Sequence, residues 1–393
     1  MKSFLSDKDT TTQSPVRIPG KRLSQELRLT FVFIYIVCFI GGVQYAVSRP
    51  FLPSGPGARV AETARWIWTK GNIERPEFKE VYQTLVQKSR EAPRKTFWQD
   101  VFAVGANGEL YPKHALICSL TAAPLYGLFG DFGFWLFNQL ALFALLAGLY
   151  RVCRELSTAQ TATAVVCMFC LSSLLFPIYS YTLSYDLHAA ALLVLGCSLL
   201  VRRPVLGMFL CAMSLYIRVS NLTYLPFFVG AWWIRFEDKR RATRSILAGF
   251  LLAAIPLAML NYYFWGNPFH SAYQHLPDFK NGEPVLGHRE FFAFPLITHD
   301  LVDKMFGLQY GYLTYNPFLF LMPFVIPKAL AFRDRSVMIC LFGAALFSVV
   351  ILFGYSMADS AGLGNRYLLP ATALFGVVYV PFFESMQKRK QEN

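Results

Sequence analysis

The residues best suited to chemistry are two arginines and a scattering of carboxylates. Arg218, in LYIRVSN, lies inside an apolar stretch, and Arg366, in GLGNRYLLP, stands at the start of the last one. An arginine in such a setting is costly unless it pairs or faces water. Two guanidiniums at one face suit a phosphate or pyrophosphate leaving group, because the planar fork meets phosphate oxygens two at a time. Each also has a plainer explanation: Arg218 as a paired residue within a helix bundle, Arg366 as an interfacial anchor beside Tyr367. The carboxylates that could act as a base are Glu62 and Asp100, while Glu109 sits in a turn-like NGE and reads as solvated. Glu62 lies in the amphipathic stretch ARVAETARWIW, with Arg59 and Trp66 near its face, so an ordinary surface ion pair is the alternative. A base must come within hydrogen-bond reach of the hydroxyl it activates.

The histidines offer less. His188 follows Asp186 at i+2, on a different helix face, which weakens a Ser-His-Asp or metal reading. His270 and His275, in NPFHSAYQH, could supply two metal ligands but have no third in view. No H-E-x-x-H, G-x-S-x-G, Walker A or dinucleotide-type glycine pattern stands in a suitable context. The eight cysteines all lie in or at the edge of apolar runs. Cys167 and Cys170 form a C-x-x-C inside one such run with no second pair, and read as small helix-packing residues. No cofactor is expected; a divalent metal is left open.

The elements that must position these residues are membrane helices. Of 393 residues 55% are hydrophobic and only 16% charged, against about a quarter charged in soluble domains. The apolar residues come in runs with few or no charges, long enough to cross a bilayer. The formal charge of +13 sits mostly in short segments between the runs and at the tails. That is the positive-inside pattern of a multi-pass protein and excludes a nucleic-acid stripe. The fold class is therefore an all-α polytopic membrane protein with about ten spans. They are placed near 30–47, 132–150, 161–182, 187–201, 205–219, 221–234, 245–264, 315–331, 337–354 and 367–383. The long basic tail, without a clear small-x-small site, favours a retained first anchor over a cleaved signal.

Both termini are expected in the cytoplasm: a disordered tail 1–28, a membrane domain 29–384 and a short tail 385–393. A first outer loop 48–113 and a second, 265–313, face the other side. The run 114–130 would invert every later loop if it crossed, so it is placed as a helix lying at, or dipping into, the outer interface. All six histidines then fall on the outer side, where polar chemistry concentrates.

Six fragments follow one another in a familiar order. They are ARVAETARWIWTKGNI, GANGELYPKHALICSLTAAPLYGLFG, LYIRVSNLTYLPFF, NYYFWGNPFHSAY, GYLTYNPFLFLMP and GLGNRYLLP. In that order the chain, from Phe31 to about Phe383, resembles the GT-C superfamily of polytopic glycosyltransferases. These include protein O-mannosyltransferases, lipid A aminoarabinose transferases and many uncharacterised bacterial members. The resemblance implies a polyprenyl-phosphate sugar donor, inverting transfer at the extracytoplasmic face, and a place in a bacterial inner (plasma) membrane. It implies a catalytic acid in the first outer loop, where Glu62 and Asp100 are the candidates. Arg218, Arg366, Lys113 and Arg59 would hold the donor phosphate, and Tyr111, His114, His188, Asn267 and His270 would line the substrate cavity. One departure stands out. Many members carry an acid two to four positions before the arginine matched by Arg59, where this chain has Gly55, Pro56 and Gly57. A non-catalytic lipid-carrier binder or flippase-like protein on the same scaffold is therefore the alternative. A secondary transporter ranks last, since no inverted repeat with paired broken helices is visible. Oligomeric state is not legible.

Overall fold

The computed structural model describes residues 56–93, 95, 97–98, 101–113, 116–174, 183–286, 295–308, 311–354 and 365–392. The tail 1–28, the expected first span 30–47, Asp100 and His114 lie outside the described residues. Everything that follows is a helical bundle with a small, strand-stitched cap on one end.

The cap begins with α1 (Pro56–Lys70), which opens on a proline, where the missing N–H costs nothing, and closes on Lys70. Val60, Ala61 and Ala64 form its buried side. Helix α2 (Pro76–Glu91) repeats the device, with Pro76 at the start and Lys88 and Arg90 in the last turn. Its apolar stripe, Phe78, Tyr82, Leu85 and Val86, packs on Phe102, Leu110 and Phe279. Strands β2 (Phe102–Val104) and β3 (Leu110–Pro112) form a hairpin across GANGE, closed by Gly105 N–H donating to Glu109 O. Strand β1 (Phe97–Trp98) pairs instead with β4 (Pro277–Lys280), which pairs with β5 (Glu283–Leu286). Two polar loops, far apart in sequence, thus share one sheet.

Helix α3 (Leu116–Phe129) carries Pro124 and spans 14 residues, about 21 Å at 1.5 Å per residue. That is shorter than the roughly 30 Å hydrocarbon core. It lies against α1, where Ser119 Oγ donates to Val60 O and the Trp68 ring covers Gly127. Gly130 then turns the chain directly into α4 (Asp131–Leu156). The rest of the bundle is α5 (Ala159–Ser172), α6 (Tyr185–Leu199), α7 (Pro204–Ile217), α8 (Leu225–Trp233) and α9 (Lys239–Trp265). After the short α10 (Pro295–Thr298) and α11 (Leu301–Phe306) come α12 (Met322–Leu330), α13 (Arg335–Phe353), α14 (Leu369–Val377) and α15 (Val380–Glu392).

Among the described residues four helical stretches are long and apolar enough to cross a membrane: Asp131–Leu156, Lys239–Trp265, Arg335–Phe353 and Arg366–Lys390. Helix is present at each expected span from 132 onward, but several pieces are short. The chain between α7 and α8 shows why. Arg218 is extended at the end of α7, residues 219–224 form a 3₁₀ turn, and Pro226 restarts the helix. This is an integral membrane architecture whose longest helices are flanked by broken ones.

Small residues let the bundle close. A Cβ on Gly196 of α6 would come within 2.7 Å of Gly207 O on α7, and one on Gly207 would meet Gly196 O at 2.8 Å. Gly249 of α9 rests in the same manner on the Val205 carbonyl of α7. Close backbone approach through small residues drives helix association where lipid removes the hydrophobic advantage. The seven described cysteines are free, Cys167 and Cys170 included, and Cys197 and Cys211 are wholly buried at such contacts.

A candidate anion site where three helix ends meet

Asp186 lies in the first turn of α6 and is 4% exposed. Its carboxylate stands between two guanidiniums. Oδ1 accepts from Arg218 Nε at 2.5 Å, and Oδ2 lies 3.0 Å from Arg366 Nε. The second contact is an ion pair without an aligned hydrogen bond, so the buried Arg366 N–H points at no acceptor among the described residues. The breaks in the chain place all three groups. Arg218 ends α7, Arg366 opens the short 3₁₀ turn before α14, and Asp186 opens α6. Asn365, with φ of 56°, swings the chain into that last turn.

Aromatic rings surround the arginines. The Arg218 guanidinium lies 4.6 Å from the Tyr185 ring centre and 4.3 Å from that of Tyr367, and donates to Tyr185 OH at 3.0 Å. Rings on both sides stabilise the cation and shield it from water. Tyr273, from the 3₁₀ turn Ala272–His275, closes the cluster. Its phenol is held neutral, pushed up chiefly by burial although Arg218 opposes this. The arginine side chains are 12% and 15% exposed. One carboxylate between two buried guanidiniums leaves this trio one negative charge short, the condition that favours a bound anion.

Tyr273 also lines a cavity of about 130 Å³. The cavity runs down between α3, α7 and α9, lined by Leu116, Leu120, Tyr216, Leu257 and Phe264. Lys113 also lines it, buried, with Nζ 5.2 Å from the Tyr273 ring centre. An apolar channel beside a cluster of cations suits a molecule with a hydrocarbon tail and an anionic head.

The structure therefore brings Arg218 and Arg366 together on Asp186 and places Lys113 and Tyr111 on the wall of the neighbouring cavity. The remaining candidates are placed elsewhere or otherwise engaged. Arg59 is half-buried on α1. Glu62 faces outward at 49% exposure and accepts from Arg75 at 3.2 Å, the arrangement of a surface ion pair, though with Arg75 rather than Arg59. His188 is buried with its ring on Phe137, and its two nitrogens face Ser184 O and Phe137 O. Asn267 shapes a turn by accepting from Phe269 N–H. His270 Nδ1 lies 3.1 Å from His275 Nε2, and among the described residues no cluster of three metal-ligating side chains exists.

Sequence reasoning missed Asp186 as a site residue because it weighed that aspartate only against His188. The usable signal was an acid opening an apolar run, as costly there as the arginine at 218. It also explained Gly57 only as a missing acid. A Cβ on Gly57 would collide with the Leu183 carbonyl, so glycine is what lets α1 seat on the segment leading into α6.

No family model and no curated protein matches the chain. Solved structures do. ArnT from Cupriavidus metallidurans bound to undecaprenyl phosphate superposes with a TM-score of 0.58 at 12% identity, covering 90% of this chain and 59% of that one. Its apo state gives 0.57 at the same identity. The oligosaccharyltransferase of Archaeoglobus fulgidus, in its apo form, gives 0.52 at 12% identity, over 93% of this chain and 52% of that one. The chain has the fold of the GT-C membrane glycosyltransferases and spans somewhat over half the length of these structures.

Proposed function

We propose that the protein transfers a sugar from a polyprenyl-phosphate donor to an acceptor hydroxyl at the extracytoplasmic face, with inversion. About ten spans, both termini in the cytoplasm and a bacterial inner membrane complete this reading. The observation that carries it is the Arg218–Asp186–Arg366 cluster with its unaligned Arg366 N–H, together with a mainly apolar cavity lined by Tyr273 and Lys113. The fold of a transferase solved with undecaprenyl phosphate supports the same donor class.

In this scheme the prenyl chain lies in the channel between α3, α7 and α9, and the donor phosphate meets Arg366, Arg218 and Lys113. The acceptor oxygen attacks the anomeric carbon as its proton passes to a carboxylate. The bond from that carbon to phosphate oxygen breaks, and the electron pair leaves with the lipid phosphate. Guanidiniums aligned before reaction stabilise the charge that grows on that oxygen. Asp186 holds the two arginines in register. Asp100 is our choice of base, because its neighbour Val101 accepts the Lys113 backbone N–H at 3.2 Å, and Glu62 is engaged by Arg75.

The test is turnover. Purified full-length protein, given a panel of polyprenyl-phosphate sugars and acceptor lipids, should release polyprenyl phosphate. Arg366→Ala should weaken donor binding about 10- to 100-fold, the worth of one charged hydrogen-bond pair. Absence of donor binding across the panel would overturn the proposal. Binding without turnover would instead select the lipid-carrier binder, which the packed Gly57 at the usual position of the acid favours.

A further inference from the structure

At the end of the bundle opposite the cluster is a larger pocket, of about 720 Å³. It forms where α7 and α9 begin. Arg203 is the N-cap residue of α7 and makes no side-chain cap bond, while α9 starts at Lys239 behind Asp238. The two helices run in the same direction and pack closely through Gly249 on Val205. Their first turns therefore present side chains to one opening.

The pocket has two tiers. The outer tier carries Arg202, Arg203 and Arg241, all exposed. Of the acids beside them, Asp238 is engaged as the cap of α9, accepting from Arg241 N–H at 2.9 Å, and Glu155 holds Arg202 at 2.7 Å. Glu237 also lines the opening. The inner tier is apolar: Val205, Leu206, Phe209 and Leu252. Leu206 and Leu252 are 40% and 58% exposed and continue into an outward-facing wall of α9 that includes Ile255 and Met259. A free anion would use the arginines and leave that wall without purpose. A protein partner would have to place its own apolar segment at membrane depth.

We propose that this pocket binds an anionic phospholipid, with the phosphate and glycerol head against Arg203 and Arg241 and an acyl chain along Phe209, Leu206 and Leu252. Both halves of the pocket match both halves of that molecule. Basic pockets between membrane helices recognise such headgroups through charge, and the adjoining hydrocarbon adds burial. The site is independent of the donor site, which lies at the other end of α7, about 21 Å away by the helix rise.

The test uses purified full-length protein in nanodiscs of phosphatidylcholine with a minor fraction of phosphatidylglycerol, followed by native mass spectrometry of the lipids retained on release. The wild type should keep phosphatidylglycerol in strong preference to phosphatidylcholine. Arg203→Gln with Arg241→Gln should reduce that preference about 30-fold, two arginines at a membrane surface acting together. Arg240→Gln with Arg244→Gln removes equal charge from α9 at positions that do not line the pocket and should leave the preference intact. A photoreactive phosphatidylglycerol should crosslink to the first turns of α7 and α9 in the wild type, a readout that needs no variant. Inorganic phosphate should not displace the lipid. The proposal fails if the wild type shows no preference, if both double variants lose it equally, if phosphate competes, or if the crosslink maps elsewhere.

Discussion

The two ends of α7 carry arginines in opposite circumstances. At one end Arg203 is exposed and faces an open pocket; at the other, Arg218 is buried, ion-paired and enclosed by tyrosine rings. The sequence writes both as a basic residue beside an apolar run. Exposed arginines at a span end orient a membrane protein at little structural cost, since the surrounding water and headgroups solvate them. A buried one must be matched by fixed partners, and those partners define a site. Charge alone does not separate the two ends. Burial and the carboxylate at 186 do.

The strongest way to break that contrast is to remove the carboxylate. Asp186→Ala leaves two guanidiniums facing one another without compensation and should cost about 3–5 kcal/mol of stability. Glu155→Ala, which frees the largely exposed Arg202 at the opposite end, should cost about 1 kcal/mol or less. Thermal unfolding of both variants in one detergent checks the pair. Equal losses would mean that burial is not what distinguishes the two ends.

A smaller effect is expected at Gly57, which holds the cap against the entry to α6. Gly57→Ala puts a methyl group into the Leu183 carbonyl and should cost about 1–3 kcal/mol through the forced shift of α1. Hydrogen exchange should localise the change to residues 57–70 and 183–190, leaving α9 untouched. Uniform exchange across the bundle would contradict a local clash.

Much of this arrangement was readable beforehand, and the reasons differ by element. The helical membrane class followed from composition and from runs set by bilayer thickness. Arg218 and Arg366 stood out because a charge in an apolar run is expensive. Their meeting point was hidden, since Asp186, Arg218 and Arg366 come from three separate helix ends and no local period links them. The strand pairing of residues 97–98 with 277–280 was equally invisible. Strands that short carry no alternation to detect, and their register is set by tertiary contact. The short α6, α7 and α8 lie close to the spans expected at 187–201, 205–219 and 221–234, and what the sequence did not show is the 3₁₀ turn over 219–224 that follows Arg218 and delays α8 to Leu225.

Acid should loosen the turn that carries Tyr273. His275 Nε2 faces His270 Nδ1 at 3.1 Å, and the His275 ring lies over Trp265. Burial first, and then His270, lower its pKa from the usual 6.5. The unfolded loop therefore binds more protons than the folded one below that value. The stability contributed by this contact is complete above about pH 6.5 and is lost as pH falls toward the lowered folded value. Protonation would set one N–H against another at the His270 contact. Exchange of residues 272–280, taken relative to the intrinsic amide rate at each pH, should rise between pH 7 and pH 5, and His270→Ala should blunt the rise. An unchanged pH response in that variant would remove the histidine pair from the account.

The smallest expected effect is the most pointed for the chemistry. Glu62 and Asp186 are both carboxylates beside arginine, one 49% exposed and the other 4%. A general base contributes about 10²- to 10⁴-fold to rate, whereas an exposed ion pair contributes about 0–1 kcal/mol to stability. Glu62→Gln keeps the side chain's shape and one acceptor for Arg75 while removing the charge. Donor turnover should stay within about twofold of wild type, because an exposed pair of this kind is nearly neutral. Asp100→Asn should abolish it. A hundredfold loss in Glu62→Gln would return the base to α1 and would mean that Arg75 releases Glu62 when substrate binds.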